Sequence, residues 1–183
     1  MMNALRDVVP HIDEAVFSSL GDKLIEQLRS SVGLTTRTGT CQFIIDLCLR
    51  RQQMLLSFPS TCDKMVRVLM HGFTDRNPAI KKQFSSCLSY LIPFCSKAEV
   101  NRVMDHIKRK LQSEQDDQLA ILHLLRALAR NTEILSKWAT DIVPYVFLCK
   151  CQSVAKDDET GKKRLEMWEE LWSDLVPGSS ACF

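Results

Sequence analysis

Four times along this chain, a stretch with apolar residues at helical spacing is followed by a polar break and then by a second such stretch. The second stretches start near residues 37, 78, 118 and 160, so the pattern recurs every 40 to 42 residues. No other feature constrains the fold as strongly. A single helix pair cannot bury its own apolar face, so pairs repeated at this interval stack and share a continuous core. The register extends to individual side chains. Phe43, Phe84 and Leu124 correspond, as do Leu47, Leu88 and Leu128, each displaced by 41 and then 40 residues. An irregular helical bundle is the alternative if the spacing is accidental.

An interval of this size falls in the range of HEAT and armadillo repeats. The reading is therefore all-α: an α-solenoid of about four HEAT-like helix pairs (an ARM-type fold), forming one array over residues 1–183. The pairs are expected at about 10–52, 59–95, 97–131 and 133–175. In the first, Ile12, Val16, Leu20, Leu24, Ile25 and Leu28 predict one long helix or two short ones broken near Gly21-Asp22. Residues 30–39 read as a loop by composition, and a helix through Phe43, Ile44, Leu47 and Cys48 follows to about Gln52. In the third, Ser96 with Glu99 three residues on has the spacing of a capping box. In the fourth, Pro144 is expected to kink the first helix or mark a restart. A proline and glycine stop at Val176-Pro177-Gly178-Ser179 closes the second.

Composition removes several alternatives. Aromatic residues are 7% of the 183, and no strand-length run alternates β-branched with polar residues, which disfavours an all-β fold. The longest apolar runs, Met54-Leu55-Leu56 among them, fall far short of the roughly 20 residues of a membrane span. No N-terminal stretch reads as a signal peptide, because Asp7, His11, Asp13 and Glu14 interrupt the only candidate. The eight cysteines mostly sit on the apolar stripes, where a thiol behaves as a small hydrophobe, so they are expected reduced, in the cytosol or nucleus. The formal charge is +2 with basic residues scattered, and Lys108-Arg109-Lys110 and Lys162-Lys163-Arg164 lie beside acidic residues. Solvated helix ends are the expected setting of both clusters, and nucleic acid is not an expected partner.

The break at Gly72-Phe73-Thr74-Asp75-Arg76-Asn77-Pro78 has the most definite chemistry. Gly72 suits a helix end that needs a left-handed residue. Asn77-Pro78 suits a helix start, since proline is pre-set for the first turn and lacks the N–H orphaned there. Asp75, followed by Pro78, Ile80 and Lys81, resembles the HEAT pattern of an aspartate in the turn and a hydrophobic-basic pair opening the second helix. Lysine stands at 81 where arginine is usual, and it offers a charge without a bidentate fork.

Three stretches taken together resemble one region of the large HEAT-repeat proteasome adaptor and scaffold family. They are the loop Val32 to Cys41, the turn Gly72 to Asn77, and the tail from Ile142 to Leu148 through Trp168 and Trp172 to Ser179. The resemblance covers roughly residues 30–179. It implies a scaffold that binds the assembled 26S proteasome, steadies the contact between core and regulatory particles, and links them to membranes, motors and quality-control factors. It also implies a cytoplasmic and nuclear setting, with endomembrane association through partners. Against family members this chain is short and stops without a polar capping repeat, so a fragment or truncated isoform is expected.

No enzyme constellation accompanies this. The sequence has no glycine-rich phosphate loop, no Gly-x-Ser-x-Gly, no His-Glu-x-x-His and no Cys-x-x-Cys, and it implies no cofactor. His11, His71, His106 and His123 have no partners nearby in sequence. Cys149-Lys150-Cys151 supplies only two of the four ligands zinc takes. Trp168 and Trp172, one turn apart, are candidates either for an exposed partner anchor or for packing on the preceding repeat. The period alone also fits a HEAT-type adaptor of nuclear transport or of vesicle coats.

Overall fold

A computed structural model of the chain describes residues 6–30, 33–112, 118–129, 132–154 and 159–176. Among these residues the secondary structure is entirely helical: α1 (Glu14–Ser30), α2 (Leu34–Arg50), α3 (Gln52–Leu56), α4 (Pro59–His71), α5 (Pro78–Leu91), α6 (Lys97–Leu111), α7 (Gln118–Ala129), α8 (Thr132–Val154) and α9 (Glu159–Leu175). Short 3-10 turns lie at Val9–His11, Gly72–Thr74 and Ile92–Phe94. The fold class is all-α, of the HEAT type. The expected break at residues 113–117, the acidic Asp157 and Asp158, the stop at Pro177–Ser179 and Cys182 lie outside the described residues, as do the side chains of Leu119, Ile134 and Leu135. The chain forms two compact units, Met1–Val103 and Met104–Phe183, and the division falls within α6.

In the first unit, α1 packs on α2 and α4 on α5 within each pair, while α1 meets α4 and α2 meets α5 between pairs. First helix on first and second on second is the layered stacking of a helical repeat. The sequence register appears as burial: Phe43, Leu47, Phe84 and Leu88 are all interior. Leu88 is 0% exposed. Leu88→Ala is expected to lower the unfolding free energy by about 2–5 kcal/mol, read by chemical denaturation, and unchanged stability would contradict the stacking.

The buried face of α1 is Phe17, Gly21, Leu24, Ile25 and Leu28. Val16, expected on that face, is 50% exposed. Phe17 replaces it, its ring meeting Phe58 edge-on at 5.1 Å between centroids. Gly21 does not break the helix. A methyl group there would lie 2.7 Å from Thr61 Cγ2, so glycine is what lets α1 come close to α4.

The segment expected as a loop before α2 is mostly helix, because α2 already begins at Leu34. Its threonines turn back on the preceding turn: the Thr38 hydroxyl donates to the Leu34 carbonyl (2.9 Å) and the Thr40 hydroxyl to the Thr36 carbonyl (2.9 Å). That satisfies side chains whose composition otherwise reads as loop. At its other end α2 stops at Arg50, and the separate short helix α3 follows.

In the second unit, α7 packs on α8 and α9, and α8 packs on α9. The C-terminal end of α6 is tied to one face of α8 through residues spaced by four. Lys108 Nζ donates to Asp141 (2.6 Å), Gln112 Nε2 to Tyr145 Oη (3.0 Å), and the Cys149 thiol to the Leu111 carbonyl (3.7 Å). Arg126 on α7 pairs with Glu170 on α9. Leu124 and Leu128 are both 0% exposed, continuing the register. Pro144 neither ends α8 nor restarts it. It lies inside the helix on the exposed side, as does residue 140, whose carbonyl the proline deprives of a donor, so water can serve that carbonyl.

Candidate functional site

The best-built polar site in the first unit is the joint between its two helix pairs, centred on the turn from Gly72 to Pro78. Asn77 caps α5: its side-chain oxygen accepts the Ala79 N–H at 2.9 Å, with Pro78 at the first helical position. Asp75 uses both carboxylate oxygens. Oδ1 accepts the Asn77 N–H (2.8 Å), which shapes the turn, and Oδ2 accepts Arg37 Nη1 (2.5 Å) from the start of α2. The guanidinium of Arg37 also lies over the Phe84 ring, 5.6 Å from its centroid. One arginine of the first pair therefore grips both the turn and the core of the second.

This is how the chain manages with Lys81. In the 41-residue register Thr40 stands opposite Lys81, and Arg37 lies one helical turn before Thr40. A guanidinium is supplied instead from the neighbouring pair, through the single Nη1 contact to Asp75. Asp75 is held below its usual carboxylate range, first by the Asn77 N–H and then by Arg37 and Lys81, against a desolvation penalty that pulls the other way. A folded-state value below the unfolded one means that stability is contributed above the unfolded value and lost as pH falls through the folded one. Asp75→Asn is expected to lower stability at neutral pH by about 1–2 kcal/mol. The gap from wild type should narrow as pH falls below about 4, measured by denaturation across pH; a gap that does not depend on pH would contradict the ion pair.

Gly72 is not left-handed: its φ is −67° and its ψ −12°. Space explains the glycine. A methyl group on Gly72 would lie 1.9 Å from Cδ2 of Phe84, a ring that is 1% exposed. Beside the joint is an open recess of about 300 Å³ with Leu28, Val68 and Phe84 in its floor and Arg29, Arg37 and Asp75 at its rim.

A second tie closes the first unit at the start of α6. Ser96 Oγ accepts the Glu99 N–H at 3.3 Å, half of the expected capping box. The return half comes from α4 instead, where Asp63 accepts both the Ser96 N–H (2.9 Å) and the Ser96 hydroxyl (2.6 Å). That leaves the Glu99 side chain, 3% exposed, to pair with Arg67 and Arg102, each at 2.8 Å.

The cysteines are placed for packing. Cys41, Cys48, Cys62, Cys87 and Cys149 are buried free thiols. Burial pushes Cys62 up to about 12, helped by the charge of Asp63, and Cys149 up to about 11; Cys48, Cys87 and Cys95 also rise. Protonated, desolvated thiols are poor nucleophiles. Cys149 is buried and Cys151 exposed, so the close pair does not converge, and among the described residues no cluster of His, Cys, Asp and Glu is arranged to hold a metal ion.

Of the two tryptophans proposed as a partner surface, Trp168 is 0% exposed and belongs to the interior of the second unit, which removes it from any surface. Trp172 is half-buried, its ring 5.6 Å from that of Phe147. Phe147 and Leu148 are 46% and 54% exposed.

The model of the HEAT-repeat domain of the proteasome adapter and scaffold protein ECM29 matches residues 1–112, more than half of the chain. The chain belongs to this family. Among curated ECM29 relatives, the Proteasome adapter and scaffold protein ECM29 of Homo sapiens is 24% identical over 182 residues, covering 98% of this chain. The Proteasome-associated protein ECM29 homolog of Drosophila melanogaster is 22% identical over 180 residues and covers 98% of the chain. The Proteasome component ecm29 of Schizosaccharomyces pombe is 24% identical over 181 residues and covers 94%. The chain spans about a tenth of the length of these ECM29 proteins, 10%, 9% and 10% respectively. The Arg37–Asp75 joint lies within the stretch matched by the ECM29 family model, whereas Phe147 and Trp172 lie beyond it. Arg37 and Arg29 are the members of this ECM29-family site that sequence reading passes over, since both fall at the edges of a segment that reads as loop.

Proposed function

We propose that the chain is a non-enzymatic scaffold segment that binds the 26S proteasome, supports its assembly or stability, and couples it to protein quality control and ubiquitin-dependent degradation. The observation that carries this reading is the family match, together with relatives named as proteasome adapter, proteasome-associated protein and proteasome component over nearly the whole chain. The geometry supports the non-enzymatic part: the most elaborate polar constellations, Arg37–Asp75 and Asp63–Ser96–Glu99, hold elements together, and the buried thiols are protonated. On the same reading the four helix pairs belong to one repeat array, working in the cytoplasm and nucleus and reaching membranes only through partners. No helix among the described residues is long and apolar enough to cross a membrane, and Lys108 of the basic cluster is paired with Asp141. The test is co-sedimentation of the purified chain with purified 26S proteasome. The chain is expected in the proteasome fractions, and a chain left wholly at the top of the gradient would overturn the reading.

A further inference from the structure

The recess beside the joint sets an apolar floor beside two arginines, one of which has no partner among the described residues. Asp75, at its rim, has both carboxylate oxygens engaged, one by the Asn77 N–H and the other by Arg37 Nη1. Arg37 spends Nη1 on Asp75 and lays its guanidinium over Phe84, which leaves Nη2 without a partner among the described residues. Arg29 lines the same recess from the last turn of α1, is exposed, and has no hydrogen bond or ion pair among the described residues. Two guanidinium groups thus line a recess that holds one carboxylate, and that carboxylate is paired with Arg37 alone of the two. The rim has an excess of positive charge over a floor made by Leu28, Val68 and Phe84.

We propose that this recess is a carboxylate-accepting notch that takes an acidic side chain, with an apolar neighbour, from a subunit of the proteasome. The proposal rests on the proteasome reading above and names its contact. A carboxylate presents two acceptor oxygens in the plane that a guanidinium fork matches, which a lysine rim would not do. The apolar floor excludes water from one side, so the ion pair is less screened than one on a convex surface. A neighbouring apolar side chain covers the floor, and the ion pair with Asp75 holds Arg37 in place before the partner arrives, so little side-chain freedom is lost on binding.

The experiment measures the affinity of purified 26S proteasome for immobilised full chain as wild type, Arg29→Gln, Arg29→Glu and Leu148→Asp. Leu148 is exposed on α8 in the other unit and serves as the control surface. Arg29 is exposed, so its variants are expected to keep the wild-type circular dichroism and melting temperature. Arg29→Glu is expected to weaken binding by about tenfold or more, the scale of one hot-spot side chain, with Arg29→Gln intermediate and Leu148→Asp unchanged. Added salt should weaken the wild type more than Arg29→Glu. Wild-type affinity in Arg29→Glu overturns the notch and leaves the proteasome reading standing. Absence of binding by the wild type overturns both.

Discussion

Phe84→Ala is expected to lower the unfolding free energy by about 3–5 kcal/mol, measured by denaturant unfolding. The ring is 1% exposed and does three things at once: it fills the core between α2 and α5, lies under the Arg37 guanidinium, and occupies the space in front of Gly72. The last contact makes the prediction sharper than a simple truncation. Gly72→Ala alone is expected to destabilise by about 1–3 kcal/mol through overpacking, since its backbone angles suit alanine and only the Phe84 ring stands in the way. With Phe84 already truncated, the added methyl group meets open space and Gly72→Ala should cost little. The two substitutions are therefore strongly coupled, by about 1 kcal/mol or more, in a double-mutant cycle. Additive losses would mean that the ring and the glycine do not touch, and the packing of α4 on α5 would be wrong.

The second large effect lies in the other unit. Trp168→Ala is expected to destabilise by about 3–5 kcal/mol, whereas Trp172→Ala, one turn on and half-buried against Phe147, should cost about 1 kcal/mol. The difference separates a core tryptophan from one at the surface. Trp168 carries a further signature, because its indole N–H is buried without a hydrogen-bond partner among the described residues. Trp168→Phe removes that unsatisfied donor while keeping most of the ring, so it should be far milder than Trp168→Ala. Equal losses for the two Trp168 variants would show that the N–H has a partner after all.

These sites also show what the amino-acid sequence makes legible. The recurrence that aligns Phe43 with Phe84 and Leu124 is a property of neighbouring residues on one helix face, and burial follows it in both units. The start of α5 is equally local, since Asn77 and Pro78 act within one turn of themselves. Three features depend on contacts that sequence spacing does not encode. Gly72 reads as a left-handed cap because that is glycine's commonest use at a helix end, yet its reason is a phenylalanine twelve residues on. The threonines from 35 to 40 read as loop by composition, yet the segment is helical, with the Thr38 and Thr40 hydroxyls satisfied by carbonyls one turn back. The partner of Asp75 is 38 residues away, and the partner of Ser96 is 33 residues away on α4. A period of about 40 residues places such groups on adjacent pairs without saying which two side chains meet.

The same limit applies to the surface. Trp168 and Trp172 are one turn apart and chemically identical, but the first is fully buried while the second is half-buried against Phe147. Charge near a joint is equally ambiguous in sequence. Arg37 is half-buried and has reached a carboxylate, whereas Arg29 is exposed and has reached none among the described residues.

The most direct measurement of the scaffold function is affinity purification of the tagged chain from cells, with bound proteins identified by mass spectrometry. Subunits of both the core and regulatory particles of the proteasome are expected in the eluate. Recovery of transport or coat factors with no proteasome subunit would contradict that function.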